Sequence, residues 1–95
     1  MSYNVNMKFD WNSDKNKWLE INRGITFDEI TSLIEQGYLK IVIKHPKKDK
    51  QKIFVIERDG YAYNVPFIED ENGTCFLKTI YPSRSSTKKY LRRTQ

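Results

Sequence analysis

Cysteine and histidine are nearly absent: the chain has one of each, Cys75 and His45. A lone cysteine excludes a disulfide framework and a cysteine-rich zinc site. Its place in an apolar run marks it as a small buried hydrophobe, in keeping with a reducing cytosol. A lone histidine excludes a pair of imidazoles sharing base and acid work. His45 stands just before Pro46 at the end of an apolar run and reads as a turn residue. No apolar run approaches the roughly twenty residues of a membrane span, and the N-terminus lacks a basic segment followed by an apolar core. A soluble, cytoplasmic protein is expected. Glycine-rich phosphate loops and Gly-x-Ser-x-Gly elbows are missing as well. The acids cluster in a Glu69-Asp70-Glu71 turn, with Glu57 and Asp59 near another. None has metal-ligand spacing, so no metal or other cofactor is expected.

What is present suits one small domain. Ninety-five residues with 38% apolar content support a single modest core without a covalent staple. Residues 1–95 are read as one unit, with no internal repeat and no linker. The polar residues before Lys8 read as a flexible extension over 1–7, with Met7 a candidate start. Charge is unevenly placed. Residues 1–45 carry six basic and six acidic side chains, whereas residues 46–95 carry eleven basic and six acidic. The formal net charge of +5 therefore belongs to the second half, and such a surface draws in anionic partners.

Taken in order, Lys8 to Trp11 reads as a short strand. Asn12 or Ser13 caps a helix that runs to about Arg23 and stops at Gly24, with Asp14 at the positive end of its dipole and Trp18, Leu19 and Ile21 on its apolar side. Thr26 and Glu29 have capping-box spacing, Ile25 and Ile30 staple spacing, and Gly37 offers the C-terminal cap of this second helix. Tyr38 to Lys44 reads as a strand with Leu39, Ile41 and Ile43 on one face. A basic connection, 47–52, leads to Ile53 to Arg58, and Asp59-Gly60 signals a two-residue hairpin turn into Tyr61 to Ile68. Pro66 cannot donate to a ladder, which puts its strand at an edge or interrupts pairing there. The last strand is expected over Cys75 to Tyr81. The sum is an α+β fold: an N-terminal strand and a two-helix hairpin packed on a four-stranded antiparallel meander, with a short basic C-terminal helix.

That last segment, FLKTIYPSRSSTKKYLRR, carries Lys78, Arg84, Lys88, Lys89, Arg92 and Arg93, and no acid follows Glu71. Cations displace condensed counterions from phosphates and aromatic rings stack on bases, so Tyr81 and Tyr90 among these charges point to RNA. A merely solvated basic tail is the plain alternative. Tyr61 and Tyr63 share a sheet face, for stacking on bases or for packing against a helix.

The run Phe9-Asp10-Trp11, Lys15-Asn16, Gly24-Ile25, Phe27 and Glu29, followed by Ser83-Arg84 and Thr87, resembles the BrnT-like toxins of bacterial type II toxin–antitoxin systems, which are similar in fold to the RelE/ParE group. Where that family has Lys-His before the glycine, this chain has Asn22-Arg23. The resemblance implies a RelE-like fold and a metal-independent endoribonuclease that cleaves mRNA, with the ribosome's help, and arrests translation. It also implies a small DNA-binding antitoxin, of the ribbon-helix-helix type or related. Arg84 takes the phosphate-stabilising position. Lys78 and Tyr90 are candidates for base or acid; Lys15, Arg23, Lys88, Lys89, Arg92 and Arg93 are candidate RNA contacts. The second reading is a non-catalytic RNA-binding or translation-blocking module of the same fold.

Overall fold

The computed structural model describes residues 7–91. Most of the proposed extension thus lies outside the described residues, while Met7 packs against the core. The order is β1 (Lys8–Trp11), α1 (Ser13–Arg23), α2 (Phe27–Glu35), β2 (Leu39–Lys44), β3 (Lys52–Arg58), β4 (Tyr61–Glu69), β5 (Thr74–Leu77), β6 (Tyr81–Pro82) and α3 (Arg84–Ser86), which runs into a π-helical turn, Thr87–Leu91. One mixed sheet has the order β1-β5-β4-β3-β2, with β6 paired to β4 beyond β5. β1 is parallel to β5 and the other pairings are antiparallel.

The local signals for the helices hold. Asn12 Oδ1 accepts from Lys15 N at 2.9 Å, and Gly24, in the left-handed region at φ +66°, closes α1 with its N–H on Glu20 O. Thr26 Oγ1 accepts from Glu29 N at 3.1 Å. The reciprocal half of that box is not made, because the Glu29 carboxylate binds Arg58 instead. Ile25 and Ile30 are both buried. At the far end Tyr38 N bonds Leu33 O and Gly37 N bonds Ile34 O, the paired bonds of a Schellman motif. Asp59 (φ 55°) and Gly60 (φ 78°) form the tight hairpin turn between β3 and β4, matching the twist of the flanking strands.

β3 and β4 lie in the middle of the sheet and are buried on both faces. On one face Phe54, Ile56, Val65 and Phe67 meet Leu19, Phe27, Ile30 and Ile34 of the two helices in the main core. The Phe54 and Phe67 rings stack at 3.8 Å between centroids. On the other face Ile53, Val55 and Ala62 form a second cluster, covered by Ile43, Tyr90 and Leu91. The terminal helical segment therefore closes the side of the sheet away from α1 and α2.

Three expectations need correction. β2 contains a bulge: Leu39 opposes Ile56 and Ile41 opposes Val55, leaving Lys40 extra. The extra residue reverses side-chain parity, so Leu39 and Val42 reach the main core while Ile43 joins the opposite cluster. Leu39, Ile41 and Ile43 do not share a face. The last strand is broken in two. Pro66 lies in central β4 and interrupts the ladder: its carbonyl accepts from Lys78 N at 2.8 Å, but it has no N–H to return. Pairing with β5 ends at Phe67–Leu77 and resumes at Asn64–Tyr81 of β6. Finally, Ile21 is 82% exposed and Trp18 43% exposed; α1 buries Leu19 alone. Among the described residues no helix is long and apolar enough to cross a membrane.

Candidate nucleic-acid interface

Many of the motif residues singled out in the sequence hold the scaffold. Asn16 Oδ1 accepts from Phe27 N at 2.7 Å while its Nδ2 donates to Asp28 at 3.1 Å, locking α1 to the start of α2. Trp11 stacks on Phe27 at 5.6 Å. Ser83 Oγ caps Ser86 N at 3.0 Å. Thr87 Oγ1 donates to Ser83 O and accepts from Ala62 N, both at 2.8 Å, which staples the helical turn to β4. Between these two anchors Arg84 stands exposed, and its guanidinium has no hydrogen bond, ion pair or ring contact among the described residues. Among the described residues it closes onto no carboxylate, which leaves its fork of donors open to a phosphate there.

The C-terminal end of α1 meets this region. Arg23 Nη1 donates to the carbonyl of Ile80, four residues before Arg84, a span of at most about 14 Å even fully extended. The same guanidinium lies 5.1 Å from the centre of the Trp18 ring, and Lys15 Nζ lies 4.5 Å from it. Two predicted RNA contacts, Lys15 and Arg23, are thus gathered around one exposed aromatic ring. Its apolar character alone puts Trp18 on the apolar side of α1; its helical spacing from Lys15 is the sequence signal for this arrangement.

The other candidates divide. Lys78 is exposed, with its ammonium 5.4 Å from the Phe76 ring. Tyr90 packs on the second cluster and lines a groove of about 220 Å³ together with Asn64, Tyr81, Ser85, Lys89 and Ile53. Lys89 Nζ sits 5.9 Å from the Tyr90 ring. Lys88 is exposed on the same turn; Arg92 and Arg93 lie outside the described residues. Lys78 and Tyr90 do not share the groove. His45 is the turn residue expected: its Nδ1 accepts from Lys47 N and Lys48 N at 3.1 and 3.2 Å. Tyr63 packs against the core and Tyr61 meets it edge to face at 6.2 Å. Among the described residues no three His, Cys, Asp or Glu side chains are grouped so as to hold a metal ion.

Sequence reasoning missed Asn64. It occupies a strand position whose neighbours on the same face are apolar, is only 6% exposed, and its Oδ1 has no hydrogen-bond partner among the described residues.

The class that these observations define is an α+β domain with three helices on a six-stranded sheet. No family model matches the sequence, and no curated protein is significantly similar to it. The fold is similar to that of the Brucella abortus ribonuclease toxin BrnT, known from its crystal structure: the TM-score is 0.59 at 14% identity, covering 81% of this chain and 96% of that one. The chain therefore has a BrnT-like fold.

Proposed function

We propose that this protein is the toxin of a toxin–antitoxin pair, a cytoplasmic endoribonuclease of the RelE/ParE group that cleaves mRNA without a metal and so arrests translation. The observation that carries the reading is the similarity of the fold, over 81% of the chain, to a ribonuclease toxin, joined to an exposed Arg84 at the motif position that has no partner among the described residues. The chemistry is the attack of a ribose 2'-oxygen on the adjacent phosphorus. The bond to the 5'-oxygen breaks, leaving a 2',3'-cyclic phosphate and a 5'-hydroxyl. Arg84 supplies charge to the phosphorane, where pre-placed donors act most strongly. Lys78 or Tyr90 takes the 2'-hydroxyl proton or returns one to the leaving oxygen. Lys15, Arg23, Lys88 and Lys89, with Arg92 and Arg93 beyond the described residues, hold the RNA backbone. A small DNA-binding antitoxin, of the ribbon-helix-helix type, covers this basic surface when the toxin is silent.

Mapping of 5' ends on a reporter mRNA in a translating bacterial extract tests the reading. New ends are expected with the unmodified protein and a loss of a hundredfold or more with Arg84→Ala, the scale on which a single transition-state donor acts. Translation arrest with the message intact would replace catalysis by the blocking-module reading. No change in either would remove the toxin assignment.

A further inference from the structure

We infer that the connection between β2 and β3, residues 44–52, is a phosphate clamp that holds the RNA strand across the groove from the turn carrying Arg84. The inference rests on the RNA-directed reading above and adds a second contact region to it. The segment reads KHPKKDKQK: five lysines against one acid, Asp49, so nine residues bring a formal +4 (five minus one) to a chain whose total is +5. All five lysines are exposed. None of their ammonium groups has a hydrogen bond, ion pair or ring contact among the described residues, whereas Lys40, earlier on β2, is paired with Glu57 at 3.0 Å. Lys44 and Lys52 stand directly opposite each other across the ladder, a like-charge pairing that is unfavourable in isolation and is relieved by a polyanion.

Hydrogen bonds hold the backbone of this connection in one shape. His45 Nδ1 accepts from Lys47 N and Lys48 N, His45 N donates to Gln51 O at 3.1 Å, and Gln51 N donates to Lys48 O at 3.0 Å. The lysines are thus presented from a preorganised loop, and binding has only their side chains left to order. The groove of about 220 Å³ joins this loop to the terminal turn: Ile43, Pro46 and Ile53 line one side of it, Ser85, Lys89 and Tyr90 the other. A strand with one phosphate at Arg84 can therefore run past Lys89 and on to the loop. The composition selects a nucleic-acid backbone over a protein. Protein interfaces are depleted of lysine and built around aromatic, Met and Arg anchors, and residues 44–52 contain none of these. Lysine meets a phosphate as a point charge whatever base is attached, so the clamp is indifferent to sequence.

The test follows binding of the full-length protein to a single-stranded 2'-O-methyl RNA by fluorescence anisotropy at a series of salt concentrations; with its 2'-oxygens blocked, this RNA is not cleaved. Lys48→Gln with Lys50→Gln should reduce the magnitude of the salt slope by about 1.4, two phosphates' shares for a single strand, while Lys48→Arg with Lys50→Arg should keep it. Lys8→Gln with Lys17→Gln removes the same charge from exposed positions on β1 and α1 and should leave the slope nearly unchanged. No RNA binding, an unchanged slope in the loop pair, or an equal fall in both glutamine pairs would overturn the clamp, the last by showing that net charge alone acts. Loss of binding to phosphatidylserine vesicles in the loop pair, with the RNA slope intact, would assign the surface to a membrane. End mapping on ordinary RNA separates these outcomes from the fate of the ribonuclease reading. Loop-dependent binding without cleavage keeps the clamp and removes the nuclease; cleavage with a loop-independent slope keeps the nuclease and removes the clamp.

Discussion

Cys75 shows how one side chain's setting controls its chemistry. It is fully buried, and burial, assisted by the Glu69 charge, pushes its thiol from an ordinary value of 9.0 to about 11. The thiolate is the reactive form, so a disulfide reagent at pH 8 should label the native protein only at the rate of unfolding. The sign of the pH effect follows. The fold holds the proton more tightly than the unfolded chain, so its stability is complete below about pH 9 and declines toward about pH 11. Urea midpoints should fall by the equivalent of about 1 kcal/mol between pH 8 and pH 10, and Cys75→Ala should lack that component of the decline. A single cysteine in an apolar run was enough to foresee burial. Asn64 was not foreseeable in the same way, because an asparagine inside a strand is polar in the sequence wherever its side chain ends up.

Among the elements, Arg58 is the joint. Its Nε binds Glu29 at 2.7 Å, Nη2 binds Gly24 O at 3.1 Å, Nη1 approaches the Tyr63 hydroxyl at 3.4 Å, and the guanidinium lies 5.4 Å from the Tyr63 ring. It ties the end of α1, the start of α2 and the β3–β4 hairpin together. The hydrogen bond it donates to Glu29 raises its pKa above the already high arginine value, so the guanidinium stays charged at any working pH. Lysine keeps the charge but not the planar fork. Arg58→Lys should therefore lower the urea midpoint by about 1–2 kcal/mol with an unchanged slope; an unaffected midpoint would show that the ring packing and not the fork holds the joint. The capping-box spacing placed Glu29 correctly at the start of α2, but its carboxylate was claimed by a residue 29 positions on. Local spacing identifies a cap; it does not say which competing donor is nearest in space.

At the scale of the molecule, charge governs encounter. On the proposed RNA-directed reading, the net charge of +5 gives binding to single-stranded RNA a counterion-release component. The logarithm of affinity should fall linearly with the logarithm of salt concentration, and Lys89→Gln should reduce the magnitude of that slope by about 0.7, one phosphate's share for a single strand. A slope unchanged in the variant would place the RNA elsewhere. The basic terminal segment was evident from composition, yet its division of labour was not. Tyr90 serves both the second cluster and the groove, while Arg84 stays exposed with no partner among the described residues, because Ser83 and Thr87 anchor the turn that carries them.

The sequence by itself determined the helices with their Asn12, Thr26 and glycine ends, the Asp59-Gly60 hairpin, the burial of Cys75 and the placing of charge. Each of these depends on residues within a few positions of one another, where backbone geometry and capping act directly. Only the tertiary structure decided the partners and faces. It set β1 parallel to β5, shifted β2 by one residue at Lys40, broke the last strand opposite Pro66, turned Ile21 and Trp18 outward, and enclosed Asn64. Those outcomes depend on which surfaces meet across the sheet, and a one-residue change of register there reverses every side chain that follows.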